Sequence, residues 1–186
     1  HPPLRRDERL PNALADSRCR SHIIHLMIRP YEEKDLERIK EITAICFDGV
    51  SIDRNIEERF GRVGDRDWRW RKLRHIDDDV SGERARGVFV WEENDRVGGY
   101  VTTRIDRESK IGGIPNIAVD PDLQGRGIGR HLLDHAIDFM RSEGMECAKI
   151  ETLAQNPVGS HLYPDVGFEE VAHQIHYVMR LQKDAQ

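Results

Sequence analysis

Only three of the 186 residues are cysteines, Cys19, Cys46 and Cys147, with no C-x-x-C spacing among them. An odd, sparse set of this kind makes no disulfide framework, and a reducing cytoplasm is the simplest expected compartment. No apolar run approaches the length that crosses a bilayer, so no membrane partner is expected. Positive charge is not in excess either. The 29 Lys and Arg face 34 Asp and Glu, for a formal net charge of −5 and a pI near 6.0. That balance supplies no overall field to draw the chain to nucleic acid or anionic lipid, and no nucleic-acid partner is expected. His22 and His25 could ligate a metal, but no third or fourth ligand stands near them, so no metal is expected. No internal repeat is visible. What remains is a highly charged chain, 34% charged and 38% hydrophobic, long enough for one compact domain with a sizeable core.

The informative residues are concentrated between Ile114 and Gly144. Ile114, Ile117, Ala118 and Val119 form an apolar run that suits a buried strand. Asp120-Pro121 ends it, because proline cannot donate to a sheet ladder. Gln124-Gly125-Arg126-Gly127-Ile128-Gly129 follows and opens into a helix. The apolar positions of that helix, Leu132, Leu133, Ala136, Ile137 and Met140, recur three and four apart, and Gly144 is its expected stop. Glycines let a backbone approach a ligand closely, and a helix start presents free N–H groups and the positive end of the dipole. The stretch therefore predicts an anion site, with phosphate as the usual occupant. It is not a P-loop, which needs Gly-Lys followed by Ser or Thr; here Arg126 follows Gly125, and Arg130 follows Gly129. Nor is it a dinucleotide fingerprint, whose third glycine position is filled by Arg130 or Leu132. The spacing present is Q-x-x-G-x-G.

The rest of the chain reads in order. Residues 1–26 are basic, carry proline and lack apolar periodicity, and are read as a flexible N-terminal extension preceding a single domain over 27–183. The alternative, a targeting or partner-binding arm, is opposed by Asp7, Glu8 and Asp16, which a transit peptide would avoid. Ile24 to Arg29 suits a first strand, Glu32 to Phe47 a helix with Cys46 in its apolar stripe, and Ile52 to Phe60 a shorter helix. Arg66 to His75 could be helical, with Trp68 and Trp70 among Arg69, Arg71, Lys72 and Arg74. It is read either as a solvated helix anchored by one tryptophan or as a basic patch facing a substrate. Val88 to Trp91 and Val97 to Ile105 read as a hairpin around Asn94-Asp95, and Gly98-Gly99 suggests a bulge. Pro115 removes a ladder donor from the next strand and predicts a bulge or splay there. Lys149 to Leu153 should be a strand parallel to it, reached through the crossover helix. Asn156 can cap a short helix with Pro157 in its first turn, and Pro164 should end that helix at Tyr163. Phe168 to Val171 and Gln174 to Leu181 read as a final hairpin. Cys147 reads as a packing residue.

Taken with the glycine loop, Asn156, Tyr163 seven residues later and Gly167-Phe168 complete a pattern that resembles the GNAT superfamily of N-acetyltransferases. The resemblance runs from Met27 to about Leu181, with its specific motifs between Asn116 and Phe168. It implies an α/β (α+β) fold: a GNAT-like mixed, mostly antiparallel central sheet of about six to seven strands flanked by helices. It implies acetyl-CoA as cosubstrate. Gln124, Gly125, Arg126, Gly127, Ile128 and Gly129 would hold the pyrophosphate, the backbone of Ile117, Ala118 and Val119 the pantetheine arm, and Asn156 would contact that arm as well. A homodimer paired through the last strands would also fit the resemblance.

The chemistry so implied is acetyl transfer to a primary amine of a peptide N-terminus or a small molecule. The amine must lose a proton, the thioester oxygen must be stabilised, and the thiolate must leave. Tyr163 is the candidate acid for the thiolate, and a backbone N–H near Val119 the candidate for polarising the carbonyl. For the base, Glu151 stands twelve residues before Tyr163, the spacing of relatives that acetylate protein N-termini. Asn116 and waters are the other options. A non-catalytic coenzyme A-binding module is the alternative function.

Overall fold

The computed structural model describes residues 27–181. The expected strand at Ile24 to Arg29 begins partly outside them; within them, Ile28–Pro30 forms β1. A 3₁₀ turn, Glu33–Asp35, leads into α1 (Leu36–Cys46). The Glu32 N–H donates to Asp35 Oδ2 at 2.8 Å, and Arg29 forks onto both oxygens of the same carboxylate at 2.7 and 2.9 Å, which pins the helix start to β1. Helix α2 spans Ile52–Phe60 and α3 spans Trp68–Asp79. Asp67 caps α3 by accepting the Trp70 N–H at 2.8 Å. Trp68 is buried, whereas Trp70 lies exposed between Arg66 and Arg74. Trp68 thus anchors the helix as expected, but the face carrying Lys72, Ile76 and Asp79 is not solvated: Lys72 is half-buried and Asp79 buried.

Strands β2 (Val88–Glu93) and β3 (Arg96–Thr102) form the expected hairpin. Its two turn residues, Asn94 and Asp95, both have positive φ, 52° and 58°, the conformation that matches the twist of tightly paired strands. Trp91 faces Gly99 and Glu92 faces Val97, leaving Gly98 as the extra residue of a bulge. The next strand is split at Pro115-Asn116 into β4 (Ile111–Ile114) and β5 (Ile117–Val119). β5 joins β3 in a four-stranded antiparallel sheet ordered β1-β2-β3-β5. β4 pairs instead with β6 (Cys147–Ile150), in parallel, after the crossover through α4 (Ile128–Ser142). A bridge between Arg104 and Gly113 ties β4 to the chain beyond β3. The splay expected at Pro115 is thus a division of one strand between two sheets.

Two apolar layers cover the four-stranded sheet. On one face Phe89, Trp91 and Val101 meet Ile128, Leu132, Leu133, Ala136 and Met140 of α4. On the other, Val90, Val97, Tyr100 and Ala118 meet Ile39 and Ile42 of α1 and Ile76 of α3. The alternation along each strand assigns side chains to these faces.

Three expectations are corrected. No strand forms over residues 168–181; Val171, Ile175, Tyr177, Met179 and Leu181 are exposed there, so the alternation finds no partner strand among the described residues. The last helix, α5 (Pro157–Val166), carries Pro164 inside it and continues past Tyr163. Pro164 withholds its own N–H and its ring crowds the preceding turn, but the helix still closes beyond it, where the Gly167 N–H reaches the Tyr163 carbonyl at 3.2 Å. Cys147 is exposed and does not pack.

Candidate active site

The site is organised by the divergence of β5 and β6. Thr102 N–H donates to the Asn116 carbonyl and Asp120 N–H to the Gly98 carbonyl, both at 2.8 Å. Residues 116, 118 and 120 therefore turn their backbones toward β3, and strand alternation turns those of Ile117 and Val119 to the opposite edge, where β6 has moved away. Among the three residues expected to face the gap through their backbones, Ala118 thus faces β3. The Val119 carbonyl is taken by the Gln124 Nε2 at 3.0 Å and the Cys46 thiol at 3.2 Å. Burial pushes the Cys46 thiol up to about 11, so it remains a protonated donor.

The glycine loop stands at one end of this gap. Gly125 and Gly127 have φ of +77° and +80°, a backbone that side-chain-bearing residues rarely adopt. Gly127 occupies the cap position of α4 without any side-chain cap, which leaves the first-turn N–H groups available to a ligand. Asp120 fixes the approach to this loop. Its carboxylate accepts the Asp122 N–H at 3.0 Å and is ion-paired with Arg38 of α1 and with Arg96 of β3. Arg126 reaches back to Glu93, Nη1 to Oε2 at 2.9 Å. Ile128 is buried in the core, so its side chain anchors the helix start.

The residues of α5 stand against the start of α4. The Asn156 Oδ1 accepts the Gly159 N–H at 3.3 Å, and its Nδ2 donates to Thr152 Oγ1 at 2.9 Å, so its side chain is engaged in its own turn. Gly129 and Leu162 bring α4 and α5 together: a Cβ on Gly129 would lie 3.3 Å from Leu162. Tyr163 is half-buried, edge-on to Phe168 with ring centres 6.2 Å apart. Burial pushes its phenol up to about 12. Glu151 lies one residue beyond the end of β6, exposed and ion-paired with Lys149 at 2.7 Å.

Sequence reasoning missed a buried polar string on the α1–α3 face. Asp79 of α3, 1% exposed, accepts from Asn116 Nδ2 at 2.7 Å, from Thr102 Oγ1 at 2.8 Å and from Arg104 at 3.0 Å. Asn116 in turn accepts from Lys72 at 2.6 Å. The available signal was helical spacing, since Lys72, Ile76 and Asp79 share one face of α3. Among the described residues, no helix is long and apolar enough to cross a membrane, and no group of three or more His, Cys, Asp or Glu is placed to hold a metal.

A Q-x-x-G-x-G loop opening a crossover helix beside a divided strand defines a class of fold, and comparison with known proteins agrees. The chain matches the acetyltransferase (GNAT) family over residues 37–168 and belongs to that family. A ribosomal protein bS18-alanine N-acetyltransferase of Salmonella typhimurium is 36% identical over 96 residues, covering 52% of this chain and 63% of that protein. The chain thus spans somewhat less than two thirds of that relative's length. The Escherichia coli ribosomal-protein-S18-alanine N-acetyltransferase structure aligns with TM-score 0.57 at 25% identity, over 78% of each chain. An N-acetylglutamate synthase from Neisseria gonorrhoeae, solved with coenzyme A and N-acetyl-glutamate, shares the fold with TM-score 0.52 at 20% identity, over 78% of this chain and 28% of that one.

Proposed function

We propose that this protein is an acetyl-CoA-dependent N-acetyltransferase that moves the acetyl group directly to a primary amine. The observation that carries the reading is the glycine loop and uncapped start of α4, set beside the open edge of β5. The loop N–H groups and Arg126 suit a pyrophosphate, and the backbone of Ile117 with the N–H of Val119 suits the amides of a pantetheine arm. Gln124 supports the edge by bonding Val119, and Asn156 holds the turn before α5.

In the reaction, the acceptor nitrogen attacks the thioester carbonyl, the C–N bond forms, and the C–S bond breaks. Tyr163, which keeps its proton at neutral pH, supplies it to the departing sulfur. Glu151 or a water chain receives the proton of the acceptor amine. The acceptor reaches the carbonyl from the side of α2 and α3, where the segment 61–86 shapes its seat. An alanine of a protein is the acceptor class suggested by the names of the two S18-alanine N-acetyltransferases, with small amines as the second class.

Thiol release from acetyl-CoA over a panel of N-terminal peptides and amines tests the transferase. Bound acetyl-CoA with no acceptor turned over would establish a coenzyme A-binding module instead. Gly127→Glu, which places a carboxylate and a strained φ at the phosphate site, is expected to weaken acetyl-CoA binding about a hundredfold or more, read by calorimetry.

A further inference from the structure

Lys72 projects from α3 onto the sheet face that carries Asn116. Its Nζ donates to Asn116 Oδ1 at 2.6 Å and lies 3.8 Å from the centre of the Phe47 ring. Asn116 is held in that orientation, because its Nδ2 is committed to the buried Asp79 carboxylate. Asn116 immediately precedes Ile117, the first residue of the open β5 edge. The amine of Lys72 thus touches the residue at the point where the strand divides.

The surroundings of Lys72 set it apart from the other described lysines. Lys34, Lys40 and Lys149 hold the carboxylates of Glu32, Asp77 and Glu151 at 2.7, 2.6 and 2.7 Å. Lys110 stands on an exposed turn. Lys72 has a neutral amide and an aromatic face instead. Burial removes water from its ammonium with no carboxylate in contact, and pulls its pKa down to about 8. Asp53 of α2 and Asp79 of α3 oppose that shift from a distance. Each is engaged elsewhere: Asp53 faces Arg71 at 3.5 Å and His75 at 3.7 Å, and Asp79 faces Arg104.

We propose that Lys72 is a self-acetylation site, its Nζ accepting the acetyl group of acetyl-CoA bound along β5. The proposal rests on the cofactor reading above. In the step, the neutral amine attacks the thioester carbonyl carbon, an amide C–N bond forms, and the C–S bond breaks. The proton lost by nitrogen is taken up by the departing sulfur, so the products are Nε-acetyl-lysine and free coenzyme A. The product has no charge and a single N–H, which is enough to keep the bond to Asn116. The face beside the divided strand changes from cationic to neutral.

The test uses the full chain and acetyl-CoA without acceptor. Acetylated lysines are mapped by peptide mass spectrometry over time, and acetyl-CoA binding is measured in parallel by calorimetry. The expected result is acetyl incorporation at Lys72 about tenfold faster than at Lys34, Lys40 or Lys149, rising from about pH 7 to about pH 9 as the amine loses its proton. Lys72→Arg should retain acetyl-CoA binding and lose that increment alone. Binding with Lys72 acetylated no faster than the other lysines would overturn the proposal, as would an equal preference for Lys72 in the urea-unfolded chain. Absence of acetyl-CoA binding would overturn the cofactor reading and this proposal together.

Discussion

Tyr163 combines a half-buried ring, packed edge-on against Phe168, with a phenol that burial pushes up to about 12. A phenol is a proton donor only below its pKa, so this group stays competent through neutral and mildly alkaline solution. Activity should therefore show no alkaline loss attributable to Tyr163 below about pH 10, the ordinary value for a tyrosine. Tyr163→Phe is expected to lower kcat about a hundredfold while leaving acetyl-CoA affinity within about twofold. Steady-state kinetics and calorimetry on the same preparation check both halves, and a matching loss of affinity would remove Tyr163 from the acid role. Glu151 offers a contrast. It is a candidate only through the family resemblance, which its spacing to Tyr163 matches, and it stands exposed with Lys149 as its partner. A base there has to exchange that partner for the acceptor amine.

At the scale of elements, α5 depends on one close approach. A Cβ at Gly159 would lie 2.8 Å from Thr152 Oγ1, 2.9 Å from the Tyr163 ring and 3.0 Å from Asn156 Nδ2. Gly159→Ala should therefore push the helix start off its cap and rotate Tyr163. A cost of about 1–3 kcal/mol is expected from such overpacking, read by urea denaturation, together with a fall in kcat. The start of this element was legible in advance, with Asn156 as cap and Pro157 in the first turn. The extension beyond Pro164 was not, because a proline's local cost says nothing about the closing bond that the next glycine supplies. Helix α2 was legible to its ends, Ile52 and Phe60. The chain after Phe168 has the alternation of a strand, but a strand also needs a ladder, and ladders depend on distant residues. Asp79 was hidden for a similar reason. As the last of three aspartates it reads as surface charge, and only the meeting of α3 with Thr102 and Asn116 makes it a buried acceptor.

The described residues form a four-stranded and a two-stranded sheet, linked by the division at Pro115-Asn116 and clamped on one side by α4. Acetyl-CoA seated in the gap would supply hydrogen-bond partners to the edge that β6 leaves open. At a concentration about a hundred times its Kd, it is expected to slow hydrogen exchange about a hundredfold at amides that open only by global unfolding. The Ile117 and Val119 amides should gain protection as well, read by exchange mass spectrometry. Unchanged exchange at this edge under saturating ligand would place the arm elsewhere. The contact between Arg126 and Glu93 bears on how that ligand competes with salt. Exposed pairs of this kind add little net stability because water and salt screen them, so little is lost when the guanidinium leaves Glu93 for a phosphate. The swap leaves the number of neutralised charges on the arginine unchanged. Raising ionic strength weakens the old contact along with the new one, so cofactor affinity should decline with added salt less steeply than it would for an arginine that had no carboxylate to leave.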